Sequence, residues 1–279
     1  MKEELELVYH YTSLETLRCI FEGYSEDNPF VTFWASNCTY MNDPREIIEG
    51  IELVREILDK QLPPIHKDKA KIILENTTNE LKDFLLIGTT TGQSDIPYAI
   101  SFSPNKDNLN MWRMYGDSGK GIALGFDIHK IRVGGAKLIK CIYTQDDEIT
   151  AYKSDVLNEF TSLYEALGEP PRFLTLEDYA EIMSLGPICH YVSKVKNSYY
   201  KYEDEYRLIK DCKRPKFRVI NGILIPYIEM EIHIDALQSL IIGPDCDERN
   251  ENSLKLFFAS KGLRRIEDSL CRSKVPYRN

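Results

Sequence analysis

Short runs rich in β-branched and aromatic residues recur at both ends of the chain and between two long stretches of helical periodicity, and this alternation limits the fold most. Leu5 to Tyr11, Phe30 to Ser36, Tyr98 to Ser103, Gly121 to Phe126 and Lys137 to Tyr143 read as strands. Further strand candidates are Phe217 to Ile220, Ile223 to Tyr227, Glu229 to Ile234, Leu240 to Ile242 and Leu263 to Ile266. Helical spacing runs from Ile47 to Leu86, broken by Leu62-Pro63-Pro64, and again from Asp146 to Asn197, interrupted near Gly168-Glu169-Pro170-Pro171. With no internal repeat, low-complexity tract or linker, the pattern predicts a single α+β domain over 1–279 with helical insertions near 43–90 and 146–197.

Local signals sharpen a few boundaries. Thr12 followed by Glu15 reads as a capping box that starts a helix ending at Gly23. In Asn42-Asp43-Pro44-Arg45-Glu46, Asp43 is placed to cap a helix, Pro44 to occupy its first position and Glu46 to complete the box. Asp107 to Tyr115 predicts a short helix closed by Gly116, and Asp247 to Ser260 another helix.

A net charge of -9 argues against coating nucleic acid through bulk electrostatics. The charge is uneven, however. Lys194, Lys196, Lys201, Arg207, Lys210, Lys213, Arg214, Lys216 and Arg218 crowd one segment, as a solvated face or as a phosphate-steering rim. Seven cysteines without a CxxC pair fit reduced thiols better than a disulfide framework or a zinc module. No apolar run has the length of a membrane helix and the N-terminus lacks the apolar run of a signal peptide, so the expectation is a cytoplasmic protein with no membrane partner.

Three groups of residues could carry chemistry. In Lys201-Tyr202-Glu203-Asp204-Glu205-Tyr206-Arg207-Leu208, an extended strand would set Glu203, Glu205 and Arg207 on one face, among Tyr199, Tyr200, Tyr202 and Tyr206. Such a patch can hold a sugar hydroxyl and steady positive charge developing on a ribose carbon; the alternative is a structural salt bridge. His10, flanked by Tyr9 and Tyr11 and followed by Thr12-Ser13, is a candidate substrate cradle or a structural hydrogen-bonder. Ser101 and Ser103 would share a strand face, while Trp112 and Tyr115, three apart on a helix, would offer a stacking surface or simply join the core.

Tyr9-His10-Tyr11-Thr12-Ser13, Met41 to Glu46, Ser101-Phe102-Ser103 with Met111-Trp112 and Tyr115-Gly116, Gly121 to Asp127, Glu203 to Arg207, and Ser273-Lys274-Val275-Pro276-Tyr277-Arg278 fall in a recognisable order. On these motifs the whole chain resembles the uncharacterised bacterial domain-of-unknown-function family 2971. More distantly it is similar to ADP-ribosyltransferases, including toxin and anti-phage enzymes. That likeness implies an ADP-ribosyltransferase-like split β-sheet core and NAD as the substrate. It also implies transfer of ADP-ribose to a macromolecular acceptor, a nucleic acid or a protein.

By the same likeness His10 would hold the adenosine ribose and Tyr115 or Trp112 would stack on nicotinamide. Tyr11, Thr12, Ser101, Ser103 and Arg207 would complete the NAD site. Glu205, with Glu203 beside it, would bind the nicotinamide ribose and stabilise the oxocarbenium ion. The chain departs from the common schemes by combining a first-strand His with a Ser-x-Ser middle. The rival expectations are a non-catalytic interaction module of the same fold and an NAD glycohydrolase.

Overall fold

The computed structural model describes residues 6–41, 45–64, 97–144, 147–212, 214–220 and 222–277. Among them the chain is a mixed α+β structure with several sheets and helices.

Four strands form the first sheet: β1 (Leu7–Thr12), β4 (Ile122–Asp127), β11 (Leu237–Ile242) and β12 (Leu270–Arg272), in that spatial order. The sequence of β4, Ile-Ala-Leu-Gly-Phe-Asp, is buried at every position because β1 and β11 flank it and cores cover it, which explains its near-continuous apolar run. Six strands form the second sheet, ordered β5 (Lys137–Lys140), β8 (Tyr206–Lys210), β3 (Tyr98–Phe102), β2 (Phe30–Asn37), β10 (Ile223–His233) and β9 (Lys216–Ile220). A small parallel pair joins β6 (Ile142–Tyr143) to β7 (Val195–Lys196).

Among the described residues the two large sheets touch main chain to main chain at Tyr9 and Ser103. Tyr9 N–H donates to Ser103 O at 2.7 Å and Ser103 N–H returns a bond to Tyr9 O at 2.9 Å. Either side of that junction β1 and β3 belong to separate sheets. Phe33, Phe102 and Phe126 meet at centroid distances of 5.7 to 6.4 Å. Each fully buried ring contributes roughly 1.5–3 kcal/mol, and the three rings come from strands of both sheets.

A second core covers the other face of the six-stranded sheet. The helices α2 (Glu46–Gln61), α4 (Ile149–Ala166) and α5 (Leu176–Val192) supply it, with α1 (Leu14–Ile20) and α3 (Leu109–Met114) lying elsewhere in the fold. Ile47, Ile51, Val54 and Leu58 fall on one stripe of α2 and pack with Tyr152, Val156 and Phe160 of α4 and Val192 of α5. Gly50 permits the close approach: a Cβ there would lie 2.7 Å from the Val192 carbonyl oxygen. The chain closes with α6 (Glu248–Ser260) and α7 (Arg264–Asp268).

Several local expectations change. Ser13, not Thr12, caps α1 by accepting from Thr16 N–H at 3.1 Å, because Thr12 still belongs to the β1 ladder opposite Ile122. Ile223–His233 is one strand rather than two, with Ile234 already in a 3₁₀ turn; Pro226 sits just before β2 pairing begins at Tyr227 and so removes no donor from that ladder. Leu263 to Ile266 is not a strand. Leu263 and Ile266 are both buried, a spacing of three that suits the turn into α7, and the last strand is β12. The proposed caps Asp43 and Pro44 and the second helix of the first insertion lie outside the described residues.

Candidate functional site

Beside the junction of the two sheets lies a cavity of about 570 Å³ of empty space, counting its open mouth. Tyr9, His10 and Tyr11 of β1, Ser101 and Phe102 of β3, and Met111 and Tyr115 at α3 line it together with Met41, Lys196, Tyr200, Glu203 and Glu205. Residues from near the N-terminus and from late in the chain therefore share one space.

Glu203 and Glu205 reach it differently from the extended strand expected of them. Ser198–Glu203 is a 3₁₀ turn whose start is capped by the Asn197 side chain, and Asp204 takes a left-handed conformation at φ 43°. Only at Tyr206 does β8 begin. The local capping of Asn197 outcompetes β-propensity, and the turn is clamped from outside: Ser103 Oγ donates to Glu203 O at 2.5 Å and Asn105 Nδ2 to Tyr202 O at 3.1 Å.

The two carboxylates converge on one ammonium. Lys196 Nζ lies 2.5 Å from Glu203 Oε2 and 2.5 Å from Glu205 Oε2, and all three side chains are almost fully buried. Arg207 Nη2 meets the same Glu205 Oε2 at 2.8 Å, and its Nη1 donates to Ser193 O at 3.0 Å. Tyr115 Oη donates to Glu203 Oε1 at 2.6 Å. Two positive and two negative groups make a neutral buried quartet, an arrangement that meets the desolvation cost of each ion with partners.

Burial acts to raise the Glu205 pKa, but Arg207 and Lys196 outweigh it and hold the carboxyl at about 2, ionised at neutral pH. Both cations take Oε2, and Glu205 lines the cavity.

His10 presents the opposite chemistry. Its Nδ1 is 2.9 Å from Ser101 O, which can only accept, so Nδ1 carries the proton. Its ring stands edge to face against Phe33 at 5.1 Å, and burial lowers its pKa, which keeps it neutral. Nε2 is then a hydrogen-bond acceptor. The cavity thus combines neutral and anionic acceptors with the rings of Tyr9, Tyr11, Phe102, Tyr115 and Tyr200.

Six of the ten sequence candidates line this cavity: His10, Tyr11, Ser101, Tyr115, Glu203 and Glu205. The other four do not. Thr12 is a buried member of the β1 ladder, and Ser103 is the clamp on the Glu203 carbonyl. Trp112 is fully buried, edge-on to Tyr11 and bonded through Nε1 to Asp107 at 2.7 Å, so no ligand can stack on it. Arg207 is buried behind Glu205.

Sequence reasoning named Tyr200 beside the carboxylates but missed Lys196, Met41, Phe102 and Met111 as lining residues. The signal for Lys196 was its place beside Val192 and Val195, which the surrounding positive charges concealed. The basic segment is not one rim: Lys196 and Arg207 are buried in the quartet, Lys216 pairs with Glu229, and Arg218 stacks on Trp34 and Tyr227.

The model of the family described as Protein of unknown function (DUF2971) matches residues 111–208, a narrower span than the motifs suggested. The match takes in Tyr115, Lys196, Glu203, Glu205 and Arg207 but stops short of His10. No curated protein and no solved structure matches the chain. Among the described residues no helix is long and apolar enough to cross a membrane.

Proposed function

We propose that this cavity binds NAD and that the chain is an ADP-ribosyltransferase-like enzyme of split-sheet type, serving as a toxin or phage-defence effector that modifies a macromolecule. The observation that carries the reading is that His10 and Glu205, far apart in the chain, line one space. In this scheme His10 Nε2 accepts from a ribose hydroxyl of the adenosine, and Tyr115 or Tyr200 lies against the nicotinamide ring. The Glu205 carboxylate accepts from a hydroxyl of the nicotinamide ribose.

The bond between C1′ of that ribose and the nicotinamide nitrogen breaks, its electron pair leaving with neutral nicotinamide. The positive charge passes to C1′ and the ring oxygen, where ionised Glu205 stabilises it. A nucleophile of the acceptor then bonds to C1′ and gives up its proton. Water in that role would make the chain a glycohydrolase.

A second reading rests on the same quartet. If the ion pairs of Glu205 serve only the core, the chain is an interaction module for nucleic acid or protein. Calorimetry with NAD, together with detection of free nicotinamide, separates the readings. Saturable heat and nicotinamide release support the enzyme; neither, with salt-dependent binding to RNA or DNA, favours the module. Free ADP-ribose without labelled acceptor identifies hydrolysis.

A further inference from the structure

We propose that a second cavity, between β5, the end of β8 and the C-terminal half of α5, binds a phosphate-class anion. It encloses about 890 Å³ of empty space, counting its open side, and lies apart from the site above. Three elements bring basic side chains to it. Lys137 opens the edge strand β5, Lys210 closes β8, and His190 projects from the last turn of α5; all three line the cavity. Lys194 follows α5, its ammonium 4.9 Å over the ring of Tyr191, another lining residue.

The cluster is not explained by neighbouring acids. Glu159 of α4 and Asp211 lie on the rim and Asp155 of α4 is close enough to act on Lys194. Even so, among the described residues none of Lys137, His190, Lys194 and Lys210 makes an ion pair.

The negative end of α5 would account for one cation, and it ordinarily helps a histidine keep its proton. His190 behaves in the opposite way: burial first, then the charges of Lys194 and Lys137, push its pKa down to about 4. Burial likewise lowers the pKa of Lys194. A concave site with lysines from two sheet strands and a helix end, unpaired with the acids around it, is complementary to a compact anion. Lys194 and Lys210 come from the basic segment but stand outside the buried quartet.

The test titrates the full chain with inorganic phosphate and, separately, with adenosine monophosphate at constant ionic strength. The His190 ring proton resonance, assigned with His190→Gln, is followed at pH 6.5. A saturable shift with either probe supports the site, and the tighter probe tells whether free phosphate or a phosphomonoester is the natural group. The double variant Lys137→Gln/Lys194→Gln should bind at least ten-fold more weakly while keeping the parent circular dichroism spectrum. Absence of a saturable shift with both probes, a drift that sodium chloride reproduces, or unchanged affinity in the double variant overturns the proposal. None of these outcomes depends on whether the chain turns over NAD.

Discussion

The Lys196 ammonium and the Arg207 guanidinium contact the same oxygen of Glu205, at 2.5 and 2.8 Å, so the charge of this carboxylate is set from two sides at once. Removing the lysine leaves two nearby carboxylates with one cation. Lys196→Met should therefore lower stability by about 3–5 kcal/mol, the usual cost of breaking a buried pair. Adding Glu203→Gln restores charge balance and should recover part of the loss. Urea midpoints for the single and double variants read this, and a single variant as stable as the parent would show that the quartet contributes nothing.

Glu205→Gln should abolish nicotinamide release. It should not leave stability untouched, because Lys196 and Arg207 then share one carboxylate, Glu203, of which only Lys196 is in contact. The assay belongs well below the unfolding midpoint, with circular dichroism as the control. Parent-level release of nicotinamide from the folded variant would remove Glu205 from the mechanism.

Acid should expose the same carboxylate. Its pKa is depressed on folding, from an ordinary 4.5 to about 2, so its contribution is fully present above pH 4.5 and disappears as pH falls toward 2. The loss is on the order of 3 kcal/mol. Stability measured against pH should fall more steeply for the parent than for Glu205→Gln in that window. Identical slopes would mean that Glu205 titrates normally in the folded chain.

The imidazole of His10 should be neutral and protonated on Nδ1 at pH 7. Nitrogen NMR of ring-labelled protein distinguishes the tautomers, since the bare Nε2 resonates far from a protonated nitrogen. An Nε2-protonated or cationic ring would undo its assignment as an acceptor for a sugar hydroxyl.

Strands such as Phe30–Asn37 and Ile122–Asp127 were legible because period-two burial and continuous apolar runs are local signals. The pairing of Tyr9 with Ser103 was not, since nothing local couples residues so far apart. The cavity lies beside that junction. The convergence of His10 with Glu205 was reachable only through resemblance. The geometry at Glu203 was misread for another reason: alternating charges suggested a strand, while Asn197 capping and a left-handed Asp204 favoured a 3₁₀ turn. Lys196 was counted as a surface charge because a sequence does not display the two buried carboxylates that justify burying it.

Trp112 shows how the far C-terminal motif reaches the cavity wall. Asp107 accepts from Trp112 Nε1 at 2.7 Å, from Ser273 Oγ at 2.6 Å and from Lys274 N–H at 2.8 Å. Burial opposes the charge of Asp107, but these donors outweigh it and keep its pKa below the usual carboxylate value. The chain segment at Ser273 thus fastens the start of α3, and α3 carries Met111 and leads into Tyr115. Asp107→Ala leaves the indole N–H and two further donors without their acceptor, at a cost of about 1–3 kcal/mol. Only two tryptophans are present, and Trp34 is 43% exposed whereas Trp112 is 0% exposed. In a Trp34→Phe background, emission should come from a buried indole and shift to the red when Asp107 is replaced. Because Tyr115 is the donor to Glu203, the same variant should weaken NAD binding more than Ser273→Ala, which removes one donor. Unchanged emission and an unchanged urea midpoint in Asp107→Ala would mean that the C-terminal segment merely rests on the surface.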